Sequence, residues 1–109
     1  MRSIKFRATS LRDLRDFPRS VIREAGFQLD KIQHGLAPDD AKPMTTMGLG
    51  VTELRLWDEA GTFRVVYVAK FSDVVYVLHC FQKKTPQTAK KDIDLATNRY
   101  KALRKEIAP

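Results

Sequence analysis

Residues 51–83 read VTELRLWDEAGTFRVVYVAKFSDVVYVLHCFQK, and this stretch decides the fold. Three runs rich in β-branched and aromatic residues (51–57, 62–70 and 74–82) are separated by two segments typical of hairpin loops, 58–61 and 72–73. Strands joined by loops this short pair in antiparallel orientation. The stretch therefore predicts three consecutive antiparallel strands.

The segments before this stretch predict one further strand and two helices. Apolar and polar residues alternate over 3–9, which is typical of a short strand. Ser10 begins a short helix, and Pro18 begins a second helix that ends at Gly35, because proline suits the first helical turn and glycine the C-terminal stop. Residues 36–50 are rich in proline and glycine and predict a loop.

The segment after the three strands predicts a final amphipathic helix. Thr85 and Pro86 form a typical helix start, and six apolar residues follow at spacings of four and three (Ala89, Ile93, Ala96, Tyr100, Leu103 and Ile107). The order β-α-α-β-β-β-α predicts an α+β fold. We expect a mainly antiparallel twisted sheet with the helices packed on one face and the other face open.

The two hairpin loops also predict which side chains share a face of the sheet. If residues 58–61 form a four-residue loop, Arg55 lies opposite Arg64; if residues 72–73 form a two-residue loop, Arg64 lies opposite Phe81. One face is then apolar and forms the core, with Leu54, Leu56, Phe63, Val65, Tyr67, Tyr76, Leu78 and Cys80. The other face is predominantly basic and aromatic, with Glu53, Arg55, Arg64, His79, Phe81 and Lys83.

Length, charge and cysteine content narrow the class of protein. A chain of 109 residues predicts a single domain over 1–109. Its one cysteine, Cys80, excludes an internal disulfide. One cysteine and two well-separated histidines are too few for the four ligands of a typical structural zinc site, so we expect no metal and no cofactor. Neither a membrane-spanning apolar run nor a signal peptide is found, so we expect a cytoplasmic protein with no membrane partner.

The net charge of +7 predicts a polyanionic partner such as nucleic acid. Residues 61–109 carry ten basic and four acidic side chains, so the excess lies in the C-terminal half. On the open face, Arg55 and Arg64 suit phosphate and Phe81 suits a stacked base. The alternative is that Glu53 or Asp58 neutralises the arginines.

Most of the other candidate residues have a structural alternative. His79 is a candidate for proton transfer or a packed strand residue, and Trp57 either stacks on a base or has a structural role. Cys80, on the core face, is interpreted as a small buried hydrophobic residue. Lys90 and Lys91, with the other cations of the last helix, either dock on RNA or form a solvated face.

Three runs of this chain resemble one toxin family. Residues 50–55 (GVTELR), 62–67 (TFRVVY) and 77–85 (VLHCFQKKT) are similar to segments of the RelE and HigB toxins, in particular the phage-derived HigB-like branch. The resemblance implies a RelE-like fold and a place in a type II toxin–antitoxin system. It also implies cleavage of mRNA on the ribosome without a metal, and neutralisation by a cognate antitoxin with a helix-turn-helix.

The resemblance also implies roles for particular residues. Arg64 matches the arginine that holds the scissile phosphate, Arg55 matches a basic residue on the preceding strand, and Lys83 and Lys84 match the basic pair at the end of the last strand. Related toxins often carry a tyrosine early in the following helix as a base or a stacking ring. Here no tyrosine occurs there before Tyr100, which leaves the general base open.

Two other functions remain open from the sequence. ParE toxins are similar in fold and inhibit DNA gyrase without chemistry, so a gyrase inhibitor is one alternative. A non-catalytic nucleic-acid-binding module is the other. The basic residues that converge on one predicted face favour the ribosome-dependent mRNA endonuclease.

Overall fold

The computed structural model describes residues 1–71 and 73–108. Its elements, in chain order, are β1 (Ser3–Phe6), α1 (Ser10–Arg15), α2 (Arg19–Gln33), β2 (Ala41–Pro43), β3 (Val51–Asp58), β4 (Gly61–Val68), β5 (Val74–Lys83) and α3 (Lys90–Ile107). The strands form one open sheet in the order β1-β5-β4-β3-β2, in which β1 is parallel to β5 and the other neighbours are antiparallel. The predicted combination of helices with a mainly antiparallel sheet is confirmed.

The β3–β4 hairpin has the predicted register. Arg55 pairs with Arg64, and on the far side Arg64 pairs with Phe81. The strands continue one residue further towards the turn than predicted, because Asp58 pairs with Gly61. The loop therefore consists of two residues, which leaves the register unchanged.

A β-bulge changes the register in the first half of β5. Val66 pairs with His79 as predicted, but Tyr67 pairs with Val77, so Leu78 is the additional residue. A shift of one residue moves side chains to the opposite face of a sheet. The prediction that placed Tyr76 and Leu78 on the same face as Tyr67 is therefore wrong. Ser72, part of the loop on which that prediction rested, lies outside the described residues.

Helices cover both faces of the sheet, and the prediction that they pack on one face is wrong. Against the first face, α1 and α2 bury Leu14, Val21, Ala25, Leu29 and Ile32, which pack on Leu54, Leu56, Val65, Val75 and Val77. Against the second face, α3 buries Ala96, Tyr100 and Leu103, which pack on Val51, Val66, Val68 and Leu78. The bulge adds Leu78 to this second apolar surface, and burial there of the apolar stripe of α3 stabilises its position.

Two segments differ from the predicted elements. The predicted loop 36–50 contains β2, whose Lys42 pairs with Glu53 of β3. The last helix begins at Lys90 and not at Thr85. The hydroxyl of Thr88 donates to Glu53 Oε2 at 2.9 Å, so a tertiary contact holds the preceding segment against the sheet. Within residues 1–71 and 73–108, no helix combines the length and the hydrophobicity that crossing a membrane requires.

Candidate functional site

Four basic side chains come together on the second face of the sheet, near the segment that precedes α3. Four adjacent strands contribute one each: Lys42 from β2, Arg55 from β3, Arg64 from β4 and Lys83 from β5. The strand registers place Arg55 opposite Arg64, and Lys42 opposite the Glu53 that lies among them. We call these four residues the cationic face. Because like charges on neighbouring strands repel, this arrangement costs stability unless an anion neutralises it.

Glu53 and Arg64 form a buried ion pair at the centre of the cationic face. Arg64 Nε donates to Glu53 Oε1 at 3.1 Å, and its Nη1 donates to the carbonyl of Phe63 at 3.0 Å. The two residues are 2% and 4% exposed, respectively. The alternative in which Glu53 neutralises an arginine thus describes Arg64. Its guanidinium is not on the open surface that the sequence predicted.

Arg55 is the arginine of the cationic face that solvent reaches. Its side chain is 40% exposed, and its Nε lies 4.0 Å from Asp40 Oδ1. An ion pair this long and this exposed contributes little to stability, so the guanidinium can exchange its partner for a phosphate. Asp58, the other predicted neutralising residue, instead accepts hydrogen bonds from Ser20 Oγ and from the amide of Ala60.

Lys83 is electrostatically unusual among the lysines of this surface. Partial loss of hydration, followed by the positive charges of Arg64, Arg55 and Lys42, holds the pKa of Lys83 below its usual range; Glu53 opposes this only in part. A lysine whose pKa is lowered releases its proton more readily than an ordinary lysine does. Lys83 also lines a groove of about 370 Å³ together with Phe81, Lys84 and Lys91, so the structure brings these four predicted residues together.

His79 lies beneath α3 and not on an open surface. Its Nε2 donates to Asp92 Oδ1 at 2.8 Å, and its ring stacks on Phe81 with 4.8 Å between centroids. Only 6% of His79 is exposed, and its Nδ1 is buried without a partner among the described residues. Burial is the main cause that lowers the pKa of His79, against the opposing effect of Asp92. The neutral ring therefore fits the packed strand residue that was the alternative to a catalytic role.

The aromatic and lysine candidates separate into buried and exposed groups. Phe81 is 8% exposed and belongs to the core under α3, so little of its ring is available to a base. Trp57 is 64% exposed beside Arg55 at the rim of the cationic face. Lys90 is exposed and pairs with Asp94 at 2.8 Å, whereas Lys91 reaches the groove beside Lys83.

A family comparison covers the region that carries this site. Residues 12–101 match the family described as Phage derived protein Gp49-like (DUF891). The chain belongs to this family. Proteins of the Gp49-like family are commonly toxins that are paired with an antitoxin. No curated protein matches the chain at a significant level.

The matched region of this Gp49-like chain includes all four residues of the cationic face. Three residues of this region were not assigned to the site by the sequence interpretation: Lys42, which is one of the four, Thr88 and Asp92. Lys42 was in a predicted loop, and a three-residue strand gives too short an alternation to be recognised. Thr88 and Asp92 meet Glu53 and His79 only because α3 packs on the second face. Among the described residues, no three His, Cys, Asp or Glu side chains are placed to hold a metal ion.

Proposed function

We propose that this Gp49-like protein is the toxin of a toxin–antitoxin pair and cleaves mRNA on the ribosome. One observation carries the proposal: four adjacent strands each contribute one cation to the cationic face, with Arg64 buried among the other three. Three of these cations, Lys42, Arg55 and Lys83, are accessible to solvent. A phosphate of a single-stranded RNA would be bound at this position, with Trp57 at the rim to stack on a base.

The reaction uses the nucleophile that RNA already carries. The 2′-oxygen attacks the adjacent phosphorus while its proton passes to a base, and the bond between phosphorus and the 5′-oxygen breaks as that oxygen takes up a proton. The products are a 2′,3′-cyclic phosphate and a free 5′-hydroxyl. No metal takes part in this sequence of steps.

Each basic residue has a distinct role in the proposal. Arg55 and Lys42 bind the phosphate and stabilise the additional negative charge of the transition state. Lys83, whose pKa is lowered, accepts the proton of the 2′-hydroxyl in its neutral form, and Lys84 in the same groove donates a proton to the leaving oxygen. Arg64 is a positioning residue: its pair with Glu53 links β4 to β3, the strand that carries Arg55.

The partners follow from the same surface charge. Lys90 and Lys91, the first two residues of α3, are exposed at the end of the helix that borders the groove and suit docking on ribosomal RNA. The antitoxin that we propose is a helix-turn-helix protein that masks the cationic face. The family is typically a toxin paired with an antitoxin, and the ribosome and the type of antitoxin are our proposals.

Cleavage of ribosome-bound mRNA by purified variants tests the proposal. Ribosome complexes are incubated with the protein, and the ends of the RNA fragments are mapped and analysed for 2′,3′-cyclic phosphate. We expect Arg55→Ala and Lys83→Met each to lower the cleavage rate by about a hundredfold or more. Arg55→Ala removes only a long, exposed ion pair with Asp40, and Lys83 is accessible to solvent, so we expect both variants to stay folded.

A matched control separates local chemistry from total charge. Lys101→Met removes one positive charge from an exposed position on α3, and we expect it to leave cleavage within about twofold of the wild type. Equal losses in Lys83→Met and Lys101→Met would show that bulk charge, and not the cationic face, governs activity. Intact mRNA with the wild-type protein would overturn the proposal itself.

A second candidate function is favoured by the burial of Arg64 and His79. With both side chains engaged in internal contacts, the surface fits a protein that binds without chemistry, as a gyrase inhibitor does. In that case, expression of the protein would induce the DNA-damage response while mRNA stays intact. A growth assay with a reporter of that response, together with RNA mapping, distinguishes the two candidates.

A further inference from the structure

The last residues of β3 form an open edge of the sheet. β2 pairs only with residues 52–54, and just beyond it the amide of Arg55 donates to the carbonyl of Asp40 at 3.0 Å. Main-chain groups that point to the same side recur at every second residue of a strand. The amide and carbonyl of Trp57 therefore also point away from β4, and no strand of the described chain pairs with them. Such an edge is a template for another strand.

This edge borders a groove of about 400 Å³ between β3 and α2. The groove is lined by Ser20, Glu24, Gln28, Asp39, Asp40, Arg55, Leu56, Trp57 and Asp58. The buried amide of Gln28 donates to Glu24 at 2.6 Å and to Asp39 at 2.7 Å, so two of the carboxylates are held in place. The indole of Trp57 lies exposed beside the edge.

The groove is acidic although the whole chain is basic. Its lining contains four carboxylates: Glu24, Asp39, Asp40 and Asp58. Arg55, 4.0 Å from Asp40, and Lys31, which contacts Asp39, offset two of these charges, which leaves a local charge of −2 in a chain of +7. Hydrogen bonds from Lys31 and Gln28 lower the pKa of Asp39 and keep it ionised. This field attracts a cationic group.

We propose that the open edge of β3 binds an extended, basic segment of a partner protein. The segment adds a strand in line with β2 and forms main-chain hydrogen bonds with Trp57. Successive side chains of a strand point to opposite faces, so one packs on the indole of Trp57 and the next enters the groove. A lysine or arginine at that position lies between Glu24 and Asp58. This surface shares Arg55 and Trp57 with the proposed RNA site, but the inference goes beyond the proposed function and does not depend on RNA cleavage.

The test titrates the full-length, ¹⁵N-labelled protein with a synthetic peptide, the acetylated and amidated hexapeptide TKVKVT. We expect saturable shifts of the amide signals of Trp57 and of the groove residues on α2. We also expect hydrogen exchange at the Trp57 amide to slow by about tenfold or more, because this amide becomes paired. The acidic peptide TEVEVT and a TKVKVT peptide with N-methylated valines should leave these signals unchanged.

Two variants with the same change of charge provide the control. Glu24→Lys, on the exposed side of α2, should weaken binding of TKVKVT by about threefold to fivefold or more, as expected for a partly exposed ion pair. Asp94→Lys, on the exposed face of α3, should leave it within about twofold. Neither residue belongs to the proposed RNA site, so the result is independent of cleavage.

Three results would overturn the inference. The first is a Trp57 amide whose exchange does not change at millimolar concentrations of TKVKVT. The second is equal weakening of TKVKVT binding by Glu24→Lys and Asp94→Lys, which would show that the total charge of the protein, and not the groove, governs binding. The third is a short single-stranded RNA that shifts the α2 amides of the groove while the basic peptide does not, because that result would make the groove a nucleic-acid site.

Discussion

The buried pair of Glu53 and Arg64 is where we expect a single substitution to have its largest effect on stability. In Arg64→Met the carboxylate of Glu53, 2% exposed, keeps only the hydroxyl of Thr88 as a hydrogen-bond donor among the described side chains. A buried charge that has lost its partner costs about 3–5 kcal/mol. Domains of this size are stable by about 5–15 kcal/mol, so the substitution removes a large part of the total.

Urea denaturation followed by circular dichroism measures this cost. With a urea dependence of about 1.5 kcal/mol per molar, a loss of about 3–5 kcal/mol lowers the unfolding midpoint by about 2–3 M. Glu53→Gln leaves Arg64 without its counter-ion and should be costly for the same reason. The double variant removes both charges and should recover part of the loss, with a coupling energy of at least about 2 kcal/mol.

An exposed ion pair of the same chain provides the control. Lys90→Ala breaks the exposed pair with Asp94 and should change stability by no more than about 0.5 kcal/mol. A coupling energy below about 1 kcal/mol between Glu53 and Arg64 would refute the reasoning, because the pair would then behave like an exposed one. The same numbers explain why the test of catalysis uses Arg55 and Lys83, since loss of activity in an Arg64 variant also reports unfolding.

Three further predictions concern the two cores. Burial lowers the pKa of His79, so the unfolded chain takes up a proton at this residue before the folded chain does as the pH falls below about 6.5. The free energy of unfolding should therefore decrease from about pH 7.5 to 5.5, and it should decrease less in His79→Gln. Burial raises the pKa of Cys80 to about 12, so a thiol reagent should react at about pH 8 only after unfolding in urea. Gly48 has φ +150°, and a Cβ there would overlap the ring of Tyr100, so Gly48→Ala should lower the free energy of unfolding by at least about 1 kcal/mol. Gly26→Ala inside α2 should raise it by about 0.5–1 kcal/mol, and thermal unfolding measures both changes.

Local sequence was sufficient to predict the register of the β3–β4 hairpin. The loop before Gly61 is short, and a short loop leaves few registers, so the pairing of Arg55 with Arg64 could be predicted from the spacing alone. Phe81 also lies opposite Arg64 as predicted, but the bulge at Leu78 separates this part of the ladder from the loop on which that prediction rested, so loop length alone does not account for this pairing. The placement of Arg55 beside Arg64 is thus a property of residues 51–68.

Tertiary packing decided what surrounds these residues. The bulge at Leu78 and the position of α3 depend on how two apolar surfaces fit together, and neither follows from alternation within a strand. The packing buries His79 and brings Thr88 into contact with Glu53, and Arg64 is buried in its ion pair with Glu53. The sequence alone thus determined that cations of neighbouring strands face the same way, because alternation and loop length are local. Which of them stay accessible was decided only in three dimensions, because burial depends on the element that packs above.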